Sequence, residues 1–229
     1  MMNTKREKKI DSIRNGIIGT MILVIVSIIG LGIFYGGGST QNGFVVGEDY
    51  SLIENPRRTR PGQPILVQEF FSYGCIHCRN LEKLIGSWTT NLPNQVVFSR
   101  APVAFSPSWA LLAQTYHTLE ALDALEYNHD RIFRAIHDQN REFKSVEQIA
   151  SFLAGRNMSA NQFKDTFSSP EVVLASRKSE QRQRQFQITS VPTILVANKY
   201  LINMSKGRKR ALEVADYLID IEIRADSIN

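Results

Sequence analysis

The only two cysteines of this 229-residue chain stand three positions apart, in Cys75-Ile76-His77-Cys78. Two cysteines placed at random over such a length would be this close in roughly one case in a hundred, so the spacing itself carries information. Just upstream, Ile65-Leu66-Val67-Gln68-Glu69-Phe70-Phe71 is a β-branched and aromatic run that reads as a buried strand, delivered by the turn residues Pro61-Gly62-Gln63-Pro64. Downstream, Cys78, Leu81, Ile85 and Trp88 recur at helical spacing. The pair therefore lies where a strand gives way to a helix, and the fold must present that junction.

The rest of the chain sets the architecture around it. Leu92-Pro93-Asn94 punctuates, and Gln95–Val103 reads as a second strand, completing a β-α-β unit. From Pro107 to about Phe186 the pattern is helical. Ser106-Pro107 and Ser169-Pro170 each offer an N-cap followed by Pro at the first helical position. Ser145 and Ser159 are each followed three residues later by Gln, a capping-box arrangement. Pro192–Val196 and Tyr200–Ile202 then predict a hairpin, and Leu212, Ala215, Leu218, Ile219 and Ile223 a C-terminal amphipathic helix. The order is β-α-β, a helical block too long to be a loop, then β-β-α. This is an α/β domain with an inserted all-helical subdomain packed beside the mouth of the first βα unit.

The first 47 residues read as an address. Asn15 to Gly47 holds no charged side chain, and Ile17–Phe34 is apolar apart from Thr20, Ser27 and glycines. As a helix, Gly16–Tyr35 would be roughly 30 Å long, the thickness of a bilayer's hydrocarbon core. Lys5, Arg6, Lys8, Lys9 and Arg14 all precede it, which orients the N-terminus to the cytoplasm and the remainder outward. A cleaved signal peptide, leaving a soluble periplasmic protein, is the alternative. The length of the run and the tether-like Gly36–Gly43 that follows favour an uncleaved anchor. The expected division is a basic cytoplasmic tail (1–15), a transmembrane signal anchor (16–35), a Gly-rich linker (36–47), a first domain segment (48–106), the helical insertion (107–186) and a second segment (187–229).

Charge excludes one function class. Formal net charge is +5, of which residues 1–14 supply +3, leaving 22 Lys and Arg against 20 Asp and Glu in the remainder. A nearly neutral domain is not a nucleic-acid binder by composition. No Gly-rich phosphate loop is evident, and no metal, nucleotide or flavin cofactor is implied.

The cysteines carry the candidate chemistry. At a helix start, free backbone N–H groups and the positive end of the dipole favour a thiolate at Cys75. That dipole contributes about 0.3–1 kcal/mol, while one pKa unit costs about 1.36 kcal/mol, so larger depression needs local hydrogen bonds and a second positive group. His77 is the only ionisable candidate inside the motif. Stabilising the thiolate stabilises the reduced form and makes the disulfide a stronger oxidant. Two other readings remain: a structural disulfide, though a two-residue loop constrains little, and a zinc site using Cys75 and Cys78 with His77, His117, His129 or His137, though a second pair at matching spacing is missing. The last three histidines otherwise read as surface or packing residues of the helical block.

Glu69-Phe70-Phe71-Ser72, Cys75-Ile76-His77-Cys78 and, 113 residues after Cys78, Val191-Pro192-Thr193 together resemble the DsbA family of thiol:disulfide interchange proteins, across most of residues 48–222. The resemblance implies a thioredoxin-like fold with a helical insertion, here preceded by one transmembrane helix. It implies Cys75 as the exposed nucleophile, Cys78 as its buried partner, and His77 as the residue that tunes them. Pro192 would be a cis-proline facing the disulfide, with Val191 and Ile76 contacting clients. Glu69 would be a buried acid relaying a proton to or from Cys78; the competing reading is a surface carboxylate at a strand edge. Implied partners are reduced exported proteins and a quinone-linked membrane oxidase of the DsbB type. The activity implied is donation of the Cys75–Cys78 disulfide, with a reductase or isomerase as the alternative, or a peptide-binding or zinc-holding module on the same scaffold. Ile76 stands where the family's oxidants commonly have proline, Ser190 where a glycine often precedes Val-Pro, and Tyr73-Gly74 differs from a double aromatic.

Overall fold

The computed structural model describes residues 17, 18, 20, 21, 23–25, 27, 43–54, 56, 62–155 and 158–226. The expected anchor at 16–35 falls largely outside these positions, as does Pro61 of the expected turn. Among the described residues no helix is long and apolar enough to cross a membrane. The chain divides into two units, Met1–Gly47 and Glu48–Asn229, and the second holds the sheet and both cysteines.

Five strands form one sheet in the order β1-β5-β4-β2-β3: β1 (Tyr50–Leu52), β2 (Ile65–Phe71), β3 (Val96–Pro102), β4 (Thr193–Val196) and β5 (Tyr200–Ile202). β2 pairs parallel with β3 and antiparallel with β4, so its backbone is hydrogen-bonded on both sides. The crossover between β2 and β3 is α1 (Ile76–Thr89); between β3 and β4 lie α2 (Pro107–Ala121), α3 (Leu125–His137), α4 (Val146–Leu153), α5 (Ala160–Phe167) and α6 (Pro170–Gln185), and α7 (Arg208–Asp226) closes the unit. β1 was not expected: Tyr50-Ser51-Leu52 is too short to show a period, and only its pairing with β5 makes it a strand.

Local chemistry explains the helix starts. Ser106 and Ser169 accept from the amides of Trp109 and Val172, with Pro at the first turn of each helix. Ser159 and Gln162 form the reciprocal capping box. At Ser145 the expected box is only half made, because Gln148 Oε1 accepts from the amide of Lys144 instead. In α7 the last turn buries Glu222 rather than Ile223; Glu222 accepts from Lys199 Nζ and, at 3.1 Å, from the Tyr200 hydroxyl.

Register decides what the central strand can hold. Alternation sends Val67, Glu69 and Phe71 to one face of β2 and Gln68 and Phe70 to the other. The β2–β3 register sets Gln68 beside Ser99 and Glu69 beside Arg100. Gln68 is satisfied by Ser99 at 3.2 Å and Arg182 of α6 at 2.6 Å. A slip of one residue would strip both polar side chains of partners, each at a cost of about 1–3 kcal/mol.

Candidate active site

Cys75 caps α1. Its backbone is extended (φ −100°, ψ 115°), its amide donates to Ser72 O at 3.0 Å, and its Sγ accepts from the Cys78 amide at 3.3 Å. The sulfur thus occupies the place of an N-cap oxygen, where first-turn amides lack helical partners. Both cysteines are free thiols, and Cys75 Sγ–H donates to Val191 O at 3.4 Å. Val191–Pro192 is cis and Pro192 is buried, so a loop 116 residues away along the chain meets the cysteine.

The two sulfurs are electrostatically unequal. Cys75 is 7% exposed and Cys78 fully buried. The Cys75 thiol is lowered to about 6, first by the hydrogen bond from the Cys78 thiol, against the opposing effect of burial, then by the amides of Cys78 and His77 and last by the charge of His77. Burial pushes Cys78 strongly up, and its bond to Cys75 adds to this. His77 is exposed, and its charge ranks behind the hydrogen bonds of the helix start in setting the thiolate.

Glu69 is 1% exposed, in a strand paired on both sides, so the edge-carboxylate reading is wrong. Arg100 Nε donates to Glu69 Oε2 at 3.2 Å and Arg100 Nη2 to Glu82 Oε1 at 2.8 Å. One cation cannot neutralise two buried acids. Burial raises Glu69 to about 8 despite Arg100, and the neighbouring Glu82 and Cys75 charges add to the rise. Glu82 is buried less completely; that burial is outweighed by His129 and Arg100, which hold it below the usual carboxylate range. Glu69 is therefore mostly protonated at neutral pH; only its ionised form adds to the rise of the Cys78 thiol.

Sequence reasoning missed what lies beneath. His129 Nδ1 meets the Tyr73 hydroxyl at 2.8 Å, and His137 Nε2 donates to Tyr73 O at 2.8 Å. Burial lowers His129 and raises Tyr73. Tyr73 therefore keeps its proton and donates it to Nδ1, leaving the ring proton on Nε2, which faces Glu82 Oε2 at 3.4 Å. His129 and His137 are thus not surface residues but supports of the cysteine loop; His117 packs as expected, held by Ser179 at 2.9 Å. Glu82 was findable, four residues after Cys78 on the buried face of α1. Among the described residues no group of three or more His, Cys, Asp or Glu side chains is placed to hold a metal.

The helical insertion completes the mouth. Phe71, Tyr73, Cys75 and Cys78 share one apolar core with Tyr116, Phe133 and Phe163, and Trp109 and Val191 pack against it. Arg79 ties α1 to the insertion through Asp130 at 2.8 Å and Asp138 at 3.2 Å. Trp109 stacks on the 41% exposed Phe105 (centroids 5.5 Å) and covers Gly74, where a Cβ would come within 2.6 Å of the indole nitrogen. The glycine in place of a second aromatic is where Trp109 sits. Ile76 is 47% exposed beside Cys75.

A strand-to-helix dithiol with one stabilised thiolate, opposite a cis-proline loop, defines a thiol:disulfide oxidoreductase of the thioredoxin class. Residues 90–218 match the DSBA-like thioredoxin domain. The chain is 30% identical over 202 residues to the thiol:disulfide interchange protein DsbA of Pseudomonas aeruginosa, covering 87% of this chain and 96% of that one. It is 35% identical over 181 residues to the DsbA of Azotobacter vinelandii, covering 77% and 84%. Among solved structures, P. aeruginosa DsbA superposes with a TM-score of 0.75 at 32% identity, over 80% of this chain and 97% of that one. The chain belongs to the DsbA family.

Proposed function

We propose that this protein donates the Cys75–Cys78 disulfide to exported polypeptides from the periplasmic side of the bacterial inner membrane, held there by residues 16–35 with the N-terminus in the cytoplasm. A client thiolate attacks Cys75 Sγ; the Cys75–Cys78 bond breaks, a mixed disulfide forms, and Cys78 leaves, taking a proton from Glu69. A second client thiolate attacks the client sulfur, and Cys75 departs as a thiolate. The client loses two electrons and the enzyme gains them. Val191, next to Pro192, offers backbone to an extended client segment and Ile76 an apolar contact. His77 adds positive charge near Cys75. A quinone-linked membrane oxidase of the DsbB type restores the disulfide.

The observation that carries the direction is the inequality of the two thiols. A thiol at about 6 is roughly nine-tenths thiolate at pH 7, against about three-hundredths for an ordinary one. A preferred leaving group makes the reduced enzyme the stable form and the disulfide the donor. The test is the redox equilibrium of residues 48–229 against glutathione. The expected result is a potential well above that of thioredoxin; a thioredoxin-like value overturns the donor reading.

A further inference from the structure

Although residues 15–229 carry nearly equal numbers of acids and bases, Lys206, Arg208, Lys209 and Arg210 fall within five positions. They gather where the chain turns into α7, with Gly207 at φ 102°, and join Lys83 of α1 around an open concavity of about 530 Å³ also lined by Asn80 and Leu84. Two of these cations are engaged. Lys206 pairs with Glu48 at 2.6 Å, and Arg210 holds the buried Asp49 from Nε at 2.7 Å and Nη2 at 3.1 Å, with Glu213 also acting on Arg210. Lys83, Arg208 and Lys209 are exposed and have no ion pair among the described residues.

We propose that this basic face docks the domain on an anionic phospholipid surface. The proposal rests on the anchored reading above. Glu48 and Asp49, which sit in the patch, are the first residues of the domain, so the chain coming from the apolar segment arrives here. Twelve residues, 36–47, join the expected anchor to the domain. The basic patch therefore lies at the point where the domain is covalently joined to the segment read as its anchor. Three unpaired cations attract an anionic surface about fivefold each, on the order of a hundredfold together. That is weak for a free protein, but a tethered domain docks without a further loss of translational freedom.

The docking orients the site. Ile76, Asn80, Lys83 and Leu84 follow one another at spacings of four, three and one along α1, a single stripe from the redox mouth to the patch. Lys83 lies about 12 Å along the helix axis from Cys75. A domain seated on the patch holds its dithiol close to the membrane plane, where a membrane-embedded oxidant must reach it.

The test uses residues 48–229, an extent that stands alone in a crystallised relative: 79% of this chain matches 99% of P. aeruginosa DsbA E82I. Co-sedimentation is measured with vesicles of phosphatidylcholine alone and of phosphatidylcholine with phosphatidylglycerol in equal parts. The expected result is partition into the anionic vesicles only, abolished by high salt. Lys83→Gln, Arg208→Gln and Lys209→Gln together lower that partition by about a hundredfold, with the glutathione equilibrium unchanged. Equal partition into both vesicles, no effect of the triple substitution, or preference for a duplex oligonucleotide over vesicles overturns the proposal. Carbonate extraction of the full chain tests the anchor separately: a chain that is extracted ends the anchored reading whatever the domain does on vesicles.

Discussion

Glu69 and Glu82 share one cation: Arg100 reaches Glu69 at 3.2 Å through Nε and Glu82 at 2.8 Å through Nη2. Because Glu82 also faces His129 and keeps its charge, Glu69 is the acid left holding a proton behind the cysteines. Pairs of titratable groups pushed apart in this way divide the labour of a site.

The Cys75 thiolate is expected to titrate near pH 6, followed by absorbance at 240 nm or by alkylation rate against pH. Cys78→Ala, which removes the largest single stabilisation, is expected to raise the midpoint by more than His77→Ser does. A larger rise in the histidine variant would reverse the order of causes read from the geometry.

The pH dependence of stability should differ between redox forms. Cys75 is lowered in the folded dithiol, so its stabilisation is complete above the unfolded thiol's value, near 8.5, and is lost as pH falls through about 6. No such group exists in the disulfide form. The reduced protein should therefore gain on the oxidised one by a few kcal/mol between pH 5 and 8, before the raised Cys78 thiol begins to act with the opposite sign. Urea midpoints of both forms across that range check this, and a constant difference would contradict it.

Glu69 works with the opposite sign. Its folded value of about 8 exceeds that of an unfolded glutamate, near 4.3, so the folded state holds the extra proton and stability falls as pH rises between them. Glu69→Gln keeps an acceptor for Arg100 and removes the titration. The variant should gain on the native protein by a few kcal/mol across that window in urea unfolding, while oxidation of a client dithiol slows by at least about tenfold. Unchanged transfer kinetics would remove Glu69 from the proton path.

Gly74→Ala should destabilise the fold by about 1–3 kcal/mol, since its Cβ falls 2.6 Å from the Trp109 indole nitrogen. Adding Trp109→Leu should recover part of that loss. Thermal unfolding and tryptophan fluorescence report it, and an additive double variant would mean that the two residues do not meet.

Much of this was legible along the chain. Ile65–Phe71 is apolar enough to be a central strand, Ser-Pro pairs announce α2 and α6, and the cysteines sit at the junction because residues three apart within one turn are neighbours. β1 was not legible, since three residues carry no period and its strand character comes from β5. Nor was Arg100, whose importance depends on the parallel register that sets it beside Glu69.

The strand-to-helix dithiol, the helical insertion and the capping that starts its helices were readable along the chain, because they depend on contacts within a few residues. The ranking of forces on the Cys75 thiol, the sharing of Arg100 between Glu69 and Glu82, and the support that His129 and Trp109 give the cysteine loop came from the packed fold. Those outcomes depend on burial and on partners tens of residues away, such as Val191 against Cys75 and Tyr73 against His129, and one-dimensional spacing does not encode which distant groups share a low-dielectric volume.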